Sequence, residues 1–328
     1  MDTAKSPRKL WLDGLRALAI IFVVIVHTIQ SHENLMFFYN VFVGPIMIPL
    51  FFAISGYLFN DRNGKQSIFY KKLLNSIIIP GLFLSLVWVK AIFIPIKGFS
   101  YFTESLINLI SGTEKWFFAA CIIGEIIFFY TRKFFKSTVS TCIVSFIIFV
   151  IGIILAKFDI GNFAMFNRAL IAQAFFSIGF LIKKSESKLE KIKLWQILSF
   201  AILFVIMGIT SIFVWPNQFL DVHLNQYYNL PYCMAMIFLG CVTIFLLAKK
   251  IAFAPKFLVF IGQNTFIIYF LHNTIFYIFT KMLSVLGLTN INSYFEIVLK
   301  ICFSIIICCL IAIPLNKFVP FLVGKKKK

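Results

Sequence analysis

Three ionisable residues sit in the first apolar run, WLDGLRALAIIFVVIVH over residues 11–27: Asp13, Arg16 and His27. The eleven-residue step from Arg16 to His27 is three helical turns plus about 20° at ~100° per residue. Both side chains therefore lie on one stripe of a helix, about 16 Å apart at a rise of ~1.5 Å per residue. Ionisable groups inside a bilayer are costly and face a cavity, a partner or a substrate path. An arginine there is a ligand for a phosphate or a polarised carbonyl, and a histidine titrating near neutrality suits a general base. The plainer readings are an interfacial Arg16 paired with Asp13 at i−3 and a His27 that only packs.

Further candidates follow along the chain. Lys71 and Lys72 precede an apolar run ending at Pro80, where they mark the membrane interface or meet phosphates. Glu125 lies nine residues into a run opening Trp116-Phe117-Phe118. A mid-membrane carboxyl must be neutral or paired. In IGQNTFIIYFLHN, residues 261–273, His272 falls about 21 Å into its helix, level with His27 at about 22 Å, counting ~1.5 Å per residue. Tyr269 is one turn earlier on a similar face. Two histidines at one level can converge on one cavity.

Ser55-Gly56 in PLFFAISGYLF, residues 49–59, lets helices approach closely. Ser55 is not expected to be a nucleophile, having no base beside it and packed aromatics around it. His32, Asp221 and His223 fall in outer loops and Arg168 near the outer face. Trp215, Tyr227, Tyr228 and Tyr232 cluster outside, as sugar-stacking rings or as an interfacial belt.

What must position these residues is a helix bundle. The 328 residues are 61% apolar and include 43 Phe, and the mean hydropathy is +0.95. Soluble domains average about 45–50% apolar, so the class is all-α, polytopic and membrane-embedded. About ten spans are predicted near 12–30, 41–59, 73–96, 116–130, 138–156, 169–182, 194–215, 232–248, 257–280 and 296–316. The net charge of +19 falls in short clusters between apolar runs, which excludes nucleic acid as its reason. With the amino terminus taken as cytoplasmic, 23 Lys and Arg lie in inner segments and five in outer ones: Lys97, Lys115, Lys157, Arg168 and Lys281. This positive-inside bias puts both termini in the cytoplasm. Lys90 and Lys300 snorkel near the outer ends of their helices. The lysines of the C-terminal tail suit a basic inner membrane surface. Seven cysteines, mostly within apolar runs, argue against a disulfide framework, and no spacing suggests a metal site. Asp13 and Arg16 also argue against a cleavable signal peptide.

The pattern resembles the acyltransferase-3 family of integral-membrane acyltransferases. The residues that carry it are LDGLRALAI with the Arg16-to-His27 spacing, PLFFAISGYLF, the basic run before Pro80, Trp116-Phe117, and the segment from Tyr269 to His272. The resemblance implies one integral-membrane domain over 1–328, with 1–11 and 317–328 as cytoplasmic tails. It implies an O-acyltransferase that takes acetyl or another acyl group from acyl-coenzyme A, with no metal. The acceptor is a hydroxyl of a cell-envelope or surface polysaccharide or of its lipid-linked precursor. Arg16 and His27 would be the functional pair, with Asp13, Glu125, Tyr269 and His272 around them. Arg16, Lys71 and Lys72 would hold the coenzyme, and the membrane would be the inner membrane of a bacterium. The family often has spaced arginines leading into the third helix. Here those positions are Lys71, Lys72, Asn75 and Ser76, and lysine lacks the bidentate fork. The competing expectation is a transporter or flippase of a lipid-linked or small anionic substrate. A polysaccharide polymerase would call for a large arginine-rich outer loop, which is missing.

Overall fold

The computed structural model describes residues 8–60, 65–90, 98–216, 218–252, 254–288 and 292–325, with side chains of 87–90 left aside. Lys5, Arg62, Lys97 and Lys326 to Lys328 lie outside these residues, as does the side chain of Lys90. Among the described residues the regular elements are helical, and the one β pairing is an isolated bridge between Asp221 and Gln226.

In chain order the helices are α1 (Leu10–Ile29), α2 (Glu33–Phe42), α3 (Gly44–Leu58), α4 (Gln66–Leu86), α5 (Phe99–Ser111), α6 (Trp116–Phe134) and α7 (Thr138–Lys157). There follow α8 (Phe166–Lys184), α9 (Glu186–Leu189), α10 (Leu194–Val214), α11 (Leu230–Ile251), α12 (Lys256–Gln263), α13 (Thr265–Val285) and α14 (Ser293–Phe318). Among the described residues eight helices are long and apolar enough to cross a membrane, and nine if α2 and α3, bent by 47°, form one broken span. The predicted fourth span, α6, is a 19-residue helix carrying Glu125, Arg132 and Lys133, and it falls outside that group.

Several boundaries differ from the sequence reading. The second span is broken at Val43, next to Pro45. α4 begins seven residues earlier than predicted and winds as π-helix over Leu74–Ile78 and again over Phe83–Lys90, a stretch that runs on past Leu86. The ninth span is interrupted at Asn264. The segment expected as an outer loop, 97–115, holds amphipathic α5 from Phe99, whose Ser105 and Leu109 are buried. The segment 317–325, expected as a tail, continues α14 to Phe318 and turns back through Pro320–Val323.

Packing follows from small residues placed at crossings. A Cβ on Gly179 would lie 1.7 Å from the Ala53 carbonyl oxygen, and one on Gly56 2.0 Å from that of Phe176. α3 and α8 therefore touch backbone to backbone, as the Ser55-Gly56 pair suggested. Gly262 does the same for α12 on α1, where a Cβ would come 1.8 Å from the Asp13 carbonyl oxygen. α1 lies between two cores. Trp11, Leu15 and Ala19 enter one, with Phe52, Phe128 and Phe176. Ala17, Ile20 and Val24 enter the other, with Ile268, Leu271 and Phe276. α7, α10 and α14 are the outer helices, with rows of exposed Ile, Leu, Val and Phe such as Ile143, Ile147, Ile151 and Ile154. Such a surface suits lipid, where a helix satisfies most of its backbone groups within its own segment.

Candidate functional site

A cavity of about 1180 Å³ opens between the two cores, larger than most small-ligand pockets, which run ~300–1,000 Å³. α1 contributes Arg16 and, one turn on, Ile20; α4 contributes Lys72 and Ser76. α6 adds Phe117, Phe118, Cys121 and Glu125, and α13 adds Thr265, Phe266 and Tyr269. The wall is completed by Ser55 of α3 and by Asn316, Lys317 and Lys325 at the carboxyl end. Five cations, Arg8, Arg16, Lys72, Lys317 and Lys325, thus border one space.

Asp13 organises the arginines. It is 1% exposed. It accepts from Arg8 Nε at 2.6 Å and Nη2 at 3.0 Å, from Arg16 Nη1 at 3.2 Å and from Gln263 Nε2 at 3.4 Å. The i−3 pairing expected from the sequence is present, and it tethers a guanidinium that also lines the cavity. Both readings of Arg16, partner of Asp13 and cavity ligand, are compatible with this geometry.

The break at Asn264 brings in the carboxyl end. Buried Asn264 donates to the Phe260 carbonyl at 2.7 Å. Its Oδ1 accepts from Asn316 Nδ2 at 2.9 Å and from Lys325 Nζ at 2.7 Å. The first turn of α13 therefore begins at the cavity wall, where the unpaired N–H groups of a helix start add positive potential. Burial, with repulsion from Arg8 adding to it, pulls the Lys325 ammonium down to about 8, although Asp13 acts the other way. A second cluster lies on the same face. Lys9 Nζ donates to Tyr57 Oη at 2.6 Å and pairs with Glu186 at 2.8 Å, and Lys249 Nζ pairs with Glu186 and Glu190, each at 2.9 Å. Burial alone would raise the Glu186 carboxyl, but hydrogen bonds from Lys9, Lys249 and Tyr57 hold it down to about 2.

The histidines occupy the other end of α1. His27, in the last turn of α1, is exposed, and its Nδ1 lies 3.3 Å from Gln30 Nε2. Its ring centroid is 5.2 Å from that of His272, which is 1% exposed. The depth match read from the sequence thus corresponds to a contact. Neither ring lines the cavity, which ends on α13 at Tyr269, one turn before His272. Phe117 packs between Phe51 and Tyr269, at ring separations of 5.4 and 5.8 Å, and the Lys115 ammonium sits over the Tyr269 ring at 5.7 Å.

Other expectations sort as follows. Lys72 lines the cavity and Lys71, also exposed, does not. Of the four positions in that segment, Lys72 and Ser76 face inward, one turn apart. Ser55, expected among packed aromatics, shares the cavity wall with Cys121 and Glu125, because α3 presents that face to the space and not to α8. Trp215, Tyr228 and Tyr232 turn their rings on one another at 5.0–6.2 Å. His223 stacks on Trp116 at 4.8 Å, its carbonyl accepting from Arg168 Nε and Nη2, both at 3.1 Å. Arg8, Gln263, Asn316 and Lys325 were missed as site residues. The only sequence signal for them was polarity at helix ends, which loop residues share. Arg132, counted as a loop charge, is buried, bonding the Lys136 carbonyl at 2.7 Å and Thr141 Oγ1 at 2.7 Å to close the α6–α7 turn.

A family model described as an acyltransferase domain, that of the acyltransferase-3 family, matches residues 9–313. The chain belongs to this family. The match runs from just before α1 into α14, so it covers the cavity walls except Arg8 and the lining residues after Ile313, among them Asn316, Lys317 and Lys325. No curated protein and no solved structure matches the chain. An acyltransferase-3 protein with this fold is a polytopic membrane acyltransferase.

Proposed function

We propose that this acyltransferase moves an acetyl or similar short acyl group from acyl-coenzyme A to a hydroxyl of a cell-envelope or surface polysaccharide, or of its lipid-linked precursor. The observation that carries the reading is the cavity itself, polycationic at one end and stopping one helical turn short of a histidine pair. A coenzyme A molecule is an anionic head on a long thin arm, and the cavity matches that division. Arg16, Lys72 and Lys325 would hold the phosphates, with charge-assisted hydrogen bonds, and the aromatic wall towards Tyr269 would enclose the arm. The lysine-rich face would then be cytosolic, both ends of the chain with it, and the membrane the inner membrane of a bacterium.

In this reading the hydroxyl oxygen attacks the thioester carbon while His27 takes its proton. The thiolate departs and recovers a proton from His27. Alternatively the His27 nitrogen attacks first and carries the acyl group to the hydroxyl. Either route needs a path to open from the cavity wall at Tyr269 to the histidines, because neither histidine lines the cavity.

The test is coenzyme A release by the purified protein in nanodiscs, with acetyl-coenzyme A and a panel of free and lipid-linked glycans. Acceptor-dependent release that His27→Ala and Arg16→Ala abolish is the expected result. Wild-type acetyl transfer by His27→Ala would refute the assignment of His27.

A further inference from the structure

His272 has one nitrogen committed and one idle. Its Nδ1 lies 2.9 Å from the Ile268 carbonyl oxygen. A carbonyl only accepts, so Nδ1 carries the proton, and in the neutral ring Nε2 carries a lone pair. That Nε2 is buried and has no hydrogen-bond partner among the described residues. A buried acceptor without a donor is rare and calls for a reason. Phe276 closes one side of the ring edge-on at 5.7 Å, and on another side lies His27.

The state of His27 complements it. A Gln amide nitrogen is a donor only, so with Gln30 Nε2 against it at 3.3 Å, His27 Nδ1 is the acceptor. The proton of neutral His27 is then on Nε2. One ring offers an N–H and its neighbour a bare lone pair. With centroids 5.2 Å apart, a turn of the exposed His27 ring brings the two nitrogens within the ~3 Å of an ordinary hydrogen bond.

We propose that His272 is a positioning residue for His27: its Nε2 accepts a hydrogen bond from His27 Nε2–H and so keeps the His27 Nδ1 lone pair directed at the acceptor hydroxyl. The tautomer assignment stands on the contacts above, whereas the role in transfer rests on the acyl-transfer reading. When the hydroxyl oxygen bonds to the acyl carbon, its proton passes to Nδ1 and the resulting imidazolium is held through Nε2–H by His272. The proton then leaves with the thiolate, and His27 returns to the same tautomer. The neutral His272, itself locked by Ile268, thus plays the orienting part that a third group plays behind a catalytic histidine elsewhere.

The experiment is nitrogen-15 NMR of histidine-labelled protein in nanodiscs. The chain has four histidines, so single substitutions at His27, His32 and His223 assign the spectrum. In the wild type we expect His27 as the Nε2–H tautomer, with a nitrogen–nitrogen coupling across the bond to His272. In His272→Phe the two His27 nitrogens should move towards averaged shifts and kcat should fall at least tenfold, with the KM for acetyl-coenzyme A unchanged. His272→Gln, whose side-chain oxygen can accept the same bond, should recover the tautomer and part of kcat. A wild-type His27 in the Nδ1–H tautomer without the coupling overturns the proposal. So does an unchanged His27 signal in His272→Phe. If the acyl-transfer reading fails, no form releases coenzyme A, yet the coupling and its loss in His272→Phe still report on the pair. The wild-type measurement decides the matter even if His272→Phe does not fold.

Discussion

The cation most open to a quantitative test is Lys325. Its ammonium lines the cavity beside Arg8, bonded to Asn264 and with a pKa lowered to about 8. An anionic donor binds the charged form better, so affinity should fall as pH rises through about 8. With that pKa the side chain is about nine-tenths charged at pH 7 and about one-tenth at pH 9. A hydrogen bond to a charged group is worth ~1.5–3 kcal/mol, so the neutral form should bind at least about tenfold more weakly. Combining the two, the Kd for acetyl-coenzyme A should rise about fivefold between pH 7 and pH 9, and about tenfold in the limit where only the charged form binds. Binding to nanodisc-embedded protein, followed by calorimetry at fixed ionic strength, measures this directly. Lys325→Arg should be flat over that range, and Lys325→Gln flat and uniformly weaker. Should Lys325→Gln bind as tightly as the wild type at pH 7, Lys325 takes no part in holding the phosphates. An undiminished pH dependence in Lys325→Gln would assign the titration to another group.

Three further expectations follow from particular contacts. Lys72→Ala should weaken acetyl-coenzyme A binding about five- to tenfold, in line with ~1–1.5 kcal/mol for a partly solvated charge-assisted bond. Lys71→Ala, off the cavity, should change it less than twofold in the same titration. Gly179→Leu places side-chain atoms where a Cβ alone would be 1.7 Å from the Ala53 carbonyl oxygen. It should destabilise by about 3 kcal/mol or more through forced separation of α3 and α8, seen as a lower thermal midpoint or loss of folded protein in detergent. Glu186 has its carboxyl depressed from an ordinary 4.5 to about 2, so its stabilising contribution is complete above about 4.5 and is lost as pH falls through about 2. The thermal midpoint of the wild type should exceed that of Glu186→Gln by a few degrees near pH 7, and the gap should close on acidification.

Much of the bundle was legible because lipid imposes simple rules. Apolar runs of about 20 residues must be helices, and the run from Leu10 to Ile29 is one. Interruptions were not legible. Asn264 sits in an apolar window, where a single polar residue can as easily cap a turn as hydrogen-bond within a continuous helix. Its partners, Asn316 and Lys325, lie 52 and 61 residues away in sequence. The bend at Val43 was hidden for a related reason, since proline near a helix start is compatible with an unbroken entry. Of the candidate site, the Arg16-to-His27 stripe followed from helical periodicity alone. The meeting of His27 with His272 followed from counting residues inward, although the count treated α12 and α13 as one helix. For Ser55 the aromatic surroundings were legible, Phe51 and Phe117 sharing its wall, whereas Cys121 and Glu125 of α6 on the same wall were not, because they come from a helix distant in sequence.

The arrangement of charge also explains why α12 and α13 are separate helices. A continuous helix through residue 264 would bond the amides of the next residues to carbonyls one turn back and leave no helix start at the cavity. The interruption puts the N-terminal turn of α13 beside Thr265 on the cavity wall, and the carboxyamide of Asn264 is satisfied by side chains instead. Those side chains come from α14 and the turn after it, so the segment carrying Lys325 is held in place by the same residue that breaks the helix. Arg16 is held on the other wall by Asp13, against which Gly262 of α12 allows backbone contact. α12 thus couples the two anchoring points. A bulky residue at 262 would push α12 off α1, and in doing so would move Gln263 from Asp13 and the α13 start from the cavity together.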